Sequence, residues 1–182
     1  MPRKYLLALA INHEAGATDY SSFLRGTVGV RLHDLCGQPL GYCGRHLYPD
    51  NIARWGKWRF PKGFPKGKIL YNAHRAQSAK TRGIVAVECP WAAMRLTQAG
   101  IQGVVSLLGT SLTSVRADWL SKAPHVLLML DGDDPGRKAA LSIAQALGSL
   151  TSVFIHELPG GLEPEDLSDS ALMSIVSDFF FF

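Results

Sequence analysis

From residue 83 onward, short apolar runs alternate with segments whose apolar residues recur every three or four positions. The runs IVAV (84–87), VVSLL (104–108), VLLML (126–130) and VFIHEL (153–158) have strand length and are rich in β-branched and aliphatic side chains. Between them Ala92, Leu96 and Ala99 share one helical face, as do Leu112, Val115 and Trp119, and Ala140, Ile143, Ala144 and Leu147. After the last run, Leu172, Ile175, Val176 and Phe179 repeat the spacing, and the terminal Phe179–Phe182 is expected to close that helix against the sheet. Continuously apolar strands bracketed by amphipathic helices predict an α/β fold: a parallel sheet with helices on both faces, linked by right-handed crossovers. Ligands of such sheets gather where the strands end, at the carboxyl edge.

The pattern before residue 83 is different. Residues 1–26 show an apolar stretch with a weak helical reading. Its segment Tyr5–Ile11, behind Arg3 and Lys4, is at the lower limit of a signal-peptide core and runs into His13 and Glu14, so a cytoplasmic location is expected. From Thr27 two extended segments, GTVGVRLHD and PLGYCGRHL, flank a turn containing Gly37, which predicts an antiparallel hairpin. The following NIARWGKWRFPKGFPKGK, punctuated by three glycines and two prolines, is expected to be a loop. The chain therefore divides into a small basic α+β lobe over 1–82 and a parallel-sheet domain over 83–182. No run approaches the roughly 18 apolar residues that a spanning helix needs, so no membrane partner is expected.

Composition sharpens this division. A chain of 182 residues, 47% of them apolar, can bury one good core or two small ones. Residues 1–80 carry 13 Lys or Arg against four Asp or Glu, whereas residues 81–182 carry six against eleven. One part is suited to a polyanion and the other to gathering cations. Cys36, Cys43 and Cys89 include no CxxC pair, so neither a disulfide framework nor a zinc site is indicated. Among His33, His46, His74, His125 and His156 no ligand spacing is found, and surface or core roles are expected.

Three strand ends deliver carboxylates to the carboxyl edge. IVAV ends in Glu88, then Cys89 and Pro90, whose fixed φ suits the first turn of a helix. VLLML ends in Asp131-Gly132-Asp133-Asp134 before Pro135-Gly136, and VFIHEL leads to LPGGLEPEDL with Glu163 and Glu165. Each motif alone also suits ordinary helix capping. Together, several acids at one edge repel unless a cation neutralises them, and magnesium prefers such hard oxygen ligands and pairs them with substrate phosphates.

Glu88 after its strand, LLG at 107–109 with Thr113 opening a helix, DGDDPGRKAA and LPGGLEPEDL together resemble the Toprim domain of bacterial DnaG-type primases, topoisomerases and some nucleases. RLHDLCGQPLGYCGRHL and KGKILYNAHRA resemble the segment preceding Toprim in the primase catalytic core, so the likeness spans about residues 28–167 and favours the primase branch. The resemblance implies that Glu88 is the catalytic acid or base. It further implies that Asp131 and Asp133 are magnesium ligands and that Glu163 and Glu165 form the last acidic pair, where the family usually has Asp. Manganese could replace magnesium. The family commonly shows Glu-Gly and an Asp four positions past the Glu, where this chain has Cys89 and Ala92.

Between Asp50 and Glu88 there are nine Lys or Arg and no acid, interleaved with Trp55, Trp58, Phe60 and Phe64. Cations that track phosphates and rings that stack bases are the usual means of holding a single strand. Arg54, Lys57, Trp58, Arg59, Lys62, Lys66, Lys68 and Arg75 are the expected nucleic-acid contacts, with Trp55 the aromatic best suited to the core. The expectation is a primase-like nucleotidyltransferase making short RNA on a single-stranded DNA template in DNA replication. Zinc-module and helicase-binding functions would then reside on other proteins. The alternatives are a non-catalytic nucleic-acid-binding module of a mobile element and a Toprim-type nuclease.

Overall fold

The structure is a computed structural model that describes residues 20–179. Tyr5–Ile11 and Phe180–Phe182 lie outside the described residues. The described chain forms two compact units, one of residues 20–32 and 39–65, the other of residues 33–38 and 66–179.

In the first unit, helix α1 (Tyr20–Phe23) precedes strands β1 (Thr27–His33) and β2 (Pro39–His46), then helix α2 (Pro49–Trp55) and the short strand β3 (Trp58–Arg59). The sheet order is β1-β2-β3, with Arg45 opposite Trp58 in the antiparallel β2–β3 pair. Phe23, Leu24, Val30, Leu32 and Cys43 are its buried apolar residues. The two extended segments predicted around Gly37 are thus adjacent strands. The stretch expected to be a loop contains α2 instead. Pro49 is pre-set for a first helical turn, Asp50 suits its positive end, and Gly56, at φ 80°, stops it. Trp55, expected in the core, is 54% exposed, because α2 buries none of its residues.

In the second unit, helix α3 (Ala73–Ala76) leads to strand β4 (Ile84–Val87), followed by helix α4 (Pro90–Gln98), strand β5 (Val104–Ser106) and helix α5 (Ser114–Leu120). Strand β6 (His125–Leu128), helix α6 (Asp134–Leu147), strand β7 (Ser152–Ile155) and helix α7 (Asp169–Phe179) complete it. The sheet order is β5-β4-β6-β7, and every pairing is parallel. Alternation along the strands feeds two cores. Ile84, Ala86, Val126 and Leu128 pack with Trp119 and Leu120 of α5 and Ala140, Ile143 and Leu147 of α6. Val85, Val87 and Leu127 pack with Ala92 and Leu96 of α4 and Leu172 and Val176 of α7. Both faces of the sheet are therefore covered, as continuous apolar strands require. Each fully buried Ile, Val or Leu in these layers contributes about 1.5–3 kcal/mol.

Local chemistry sets the helix starts. Pro90 and Pro135 occupy first turns, and Cys89, Thr113 and Asp133 cap α4, α5 and α6 by accepting backbone N–H bonds at 3.4, 3.4 and 2.7 Å. One predicted face is rotated. Leu112 precedes α5 and Val115 is exposed, while Arg116, Trp119 and Leu120 point inward. The reason is polar: the Arg116 guanidinium finds carbonyl acceptors inside the unit. Phe179 ends α7 with its ring 5.3 Å from that of Phe154 on β7, closing the helix on the sheet. All three cysteines are free thiols, with Cys43 buried and Cys36 exposed.

Candidate functional site

The parallel register brings the ends of β4 and β6 together. Ala86 pairs with Leu128, and Met129 N–H donates to the Ala86 carbonyl at 3.0 Å. That pairing ends two residues before Glu88 and three before Asp131, so the two acids follow neighbouring strand ends. The loop after β7 is tied to the same edge. Gly132 N–H donates to Leu162 carbonyl at 2.8 Å, and Gly161 N–H to Gly132 carbonyl at 2.9 Å. Downstream of that tie, Glu165 Oε1 stands 3.8 Å from Cys89 Sγ. The Cys89 thiol is pushed up to about 11 by burial first, then by the negative charges of Glu165 and Asp131. One thiol thus senses acids from two other segments, so the 88–89, 131–133 and 163–165 segments converge.

The main chain of Glu88 is held firmly. Its carbonyl accepts from Ser106 Oγ at 2.9 Å and from Gly109 N–H at 3.0 Å, and Leu108 N–H in turn donates to Ser106 Oγ at 3.0 Å. Leu108 adopts φ 57° to complete this turn. A left-handed leucine costs about 1–2 kcal/mol, strain of the kind found where a loop must be exact about position. An added Cβ on Gly109 would lie 3.5 Å from Lys66 Nζ, so this ammonium stands over the same turn.

The acids differ in environment. Glu88, Asp131, Glu163 and Glu165 are half-buried, whereas Asp133 is exposed and its Oδ1 caps α6. Glu163 N–H donates to Asp166 Oδ2 at 2.8 Å, shaping the turn at Pro164–Asp166. Among the described residues no three His, Cys, Asp or Glu side chains stand together as a ready-made metal cage. The donor set still suits magnesium, which is commonly held by one or two carboxylates with substrate phosphates supplying the rest. Ala92, where the family commonly has Asp, is fully buried in the core beneath α4, so that position contributes packing rather than charge.

The turn between Asp131 and Asp133 leaves no space for side chains. A Cβ on Gly136 would meet the Asp131 carbonyl at 2.1 Å, and one on Gly132 the Pro159 carbonyl at 2.3 Å. Gly136→Ala gains about 1 kcal/mol of helix propensity, and the clash outweighs it. We expect a net loss of about 2 kcal/mol in urea denaturation. A variant as stable as the parent would mean that the turn yields.

The expected nucleic-acid residues fall in both units. In the first, Arg54, Lys57, Arg59 and Lys62 are exposed and Trp58 is half-buried. Arg45 lies 5.4 Å over the Trp58 ring, Arg54 4.8 Å over Trp55 and Arg31 5.6 Å over Tyr42. Arg59 has a structural duty as well: its Nη1 donates to Phe23 carbonyl at 3.0 Å. In the second unit Lys68 and Arg75 are exposed and Lys66 is half-buried.

Sequence reasoning missed Arg116. It is 1% exposed, lies in α5, and donates from Nε to Ile69 carbonyl at 3.0 Å, from Nη1 to Ser111 carbonyl at 2.7 Å and from Nη2 to Lys66 carbonyl. Thr113 Oγ1 donates to Gly67 carbonyl at 2.6 Å. The turn Lys66–Lys68 is therefore bound to the start of α5 from two sides. Burial pushes the guanidinium below its ordinary value. Its one sequence signal is the spacing to Trp119 and Leu120, a face that a charged residue would not ordinarily be assigned to share.

The Toprim domain profile matches residues 82–156, which contain Glu88, Asp131 and Asp133. This segment is thus similar to Toprim domains. Across a longer stretch the chain is 34% identical over 148 residues to the DNA primase of Aquifex aeolicus and 33% identical over 162 residues to that of Staphylococcus epidermidis. These alignments cover 79% and 87% of this chain but only 30% and 27% of those proteins. The chain thus spans less than a third of the length of the curated relatives it matches. Among solved structures, the zinc-binding and RNA polymerase domains of Aquifex aeolicus primase share 28% identity at a TM-score of 0.74, covering 96% of this chain and 45% of that one. A DnaG primase catalytic domain bound to single-stranded DNA gives 28% and 0.71, covering 85% and 52%. The Toprim-like segment and the residues before it therefore match the catalytic-core region of DnaG-type primases. Among the described residues, no helix is long and apolar enough to cross a membrane.

Proposed function

We propose that the chain is a primase-like nucleotidyltransferase, dependent on magnesium or manganese, that joins ribonucleotides into short RNA primers on single-stranded DNA during replication. The observation that carries this reading is the convergence of the Glu88, Asp131 and Glu165 segments: Cys89 Sγ lies 3.8 Å from Glu165 Oε1, and Gly132 N–H donates to the Leu162 carbonyl at 2.8 Å. Similarity to DNA primases supports primer synthesis among the reactions that Toprim domains carry out.

In this reading Glu88 takes the proton from the attacking 3′-hydroxyl as its oxygen bonds to the α-phosphorus of the incoming nucleotide and pyrophosphate departs. Asp131 and Asp133 would hold the cation, with Glu163 and Glu165 as further candidate ligands. The cation, when bound, supplies charge neutralisation at the phosphate oxygens. Lys66 adds a positive charge beside the turn that anchors Glu88. Arg54, Lys57, Trp58, Arg59 and Lys62 of the first unit are suited to phosphate and ring contacts with the strand, and Lys68 and Arg75 of the second unit to phosphate contacts.

The test is synthesis from labelled ribonucleotides on a single-stranded DNA template. Short RNA should form with magnesium, disappear with EDTA and return when magnesium is restored. Template binding with no product under any divalent cation would reduce the chain to a binding module, and shortening of the template would identify a nuclease.

A further inference from the structure

Helix α2 is unusual for a short helix in a folded unit. None of its seven residues is buried, and it does not contribute to the apolar core. Yet it gathers large apolar side chains at the surface: Leu47 is 53% exposed, Tyr48 64% and Trp55 54%. Rings left in water at one place, with no core to serve, indicate a partner that covers them.

The arrangement suits one class of partner. Tyr48 stands in extended backbone at the N-cap of the helix, and Trp55 ends it seven residues later. Their separation along the axis is about 10 Å, or about three nucleotide steps at roughly 3.4 Å each. His46, only 2% exposed, stacks on the Trp55 indole at 5.7 Å and 27°, bracing it from the side of the sheet. The Arg54 guanidinium lies 4.8 Å over the same ring. Among the described residues of this unit there are seven Lys or Arg, and Asp50 is the one acid. A surface so positive, with braced exposed rings, is complementary to a polyanion whose repeating units carry flat apolar faces.

We propose that Tyr48 and Trp55 form a stacking platform on α2 for the bases of single-stranded DNA, with Arg54 meeting the backbone between them. The proposal rests on the primase-like reading and adds to it a subsite beyond Trp58. Base stacking on aromatic side chains is tolerant of sequence, so the platform would hold a template without selecting it.

The experiment measures fluorescence anisotropy of a labelled oligothymidylate with the full chain, at several salt concentrations. Trp55→Ala and Tyr48→Ala should each weaken binding by about five- to 150-fold at every salt concentration, with the salt slope unchanged because no charge is lost. Trp55→Phe should keep most of the affinity, which separates stacking from misfolding. Arg54→Ala should instead lower the slope by about 0.7. Parent binding with Trp55→Ala indistinguishable from it overturns the platform and hands the α2 surface to a different partner, while leaving the primase-like reading intact. A parent that does not bind overturns both.

Discussion

Glu88→Gln loses primer synthesis by about 10²–10⁴-fold while single-strand binding and thermal stability stay at the parent level. The substitution keeps the shape of the side chain and removes only its ability to accept a proton. The main-chain bonds from Ser106 Oγ and Gly109 N–H to its carbonyl are untouched by the substitution. A loss in kcat with KM for nucleotide unchanged would identify a role in the chemical step. The comparison with Asp131→Asn separates the two kinds of acid. If Asp131 holds the cation as proposed, part of the activity of Asp131→Asn should return at higher magnesium, and that of Glu88→Gln should not. Primer yield within tenfold of the parent for Glu88→Gln would remove this residue from the reaction.

Arg116→Met destabilises the chain by about 3 kcal/mol. Methionine matches only the aliphatic stem of the arginine, so the loss combines the three hydrogen bonds with the space the guanidinium leaves. Three carbonyls lose a cationic donor, and that of Ile69 is the one most fully sealed from water. Bonds to a charged donor contribute about 1.5–3 kcal/mol each, and a sealed acceptor without a donor costs about 1–3 kcal/mol. Relief from burying a cation offsets part of the sum. Urea denaturation followed by circular dichroism reads the total, and hydrogen exchange at residues 66–69 reads the place. Arg116→Lys, able to reach one carbonyl, should recover about a third of the loss. Unchanged stability in Arg116→Met would mean that solvent replaces the guanidinium.

How much of this was legible before the structure depends on how the signal is written. The sheet rests on continuous apolar runs, and β4, β5, β6 and β7 fall where IVAV, VVSLL, VLLML and VFIHEL predict. Pro90, Thr113 and Pro135 mark helix starts because φ restriction and hydroxyl capping act locally. Helix α2 was hidden because glycine and proline density on both sides made the whole basic stretch resemble loop, although Pro49-Asp50 and Gly56 bracket it. Trp55 was misplaced for the same reason: size suggests burial, but burial needs a helix face turned to a core. Arg116 was hidden more deeply. A lone arginine in an amphipathic segment is assigned to solvent unless its carbonyl partners are known, and these come from residues 5 to 50 positions away. The convergence of the acids was legible as an edge; their different duties, such as Asp133 capping α6, required the geometry.

The contact between Cys89 and Glu165 spans 76 positions of chain, and the strands beneath it pair in parallel, so no hairpin can assemble the edge piecemeal. Parallel pairing must close long loops before any pairing energy returns. During synthesis on the ribosome, the acids after β4 and β6 would exist for some time without their counterparts after β7. A chain interrupted before residue 165 would carry most of the recognisable motif and yet lack the third side of the acidic edge.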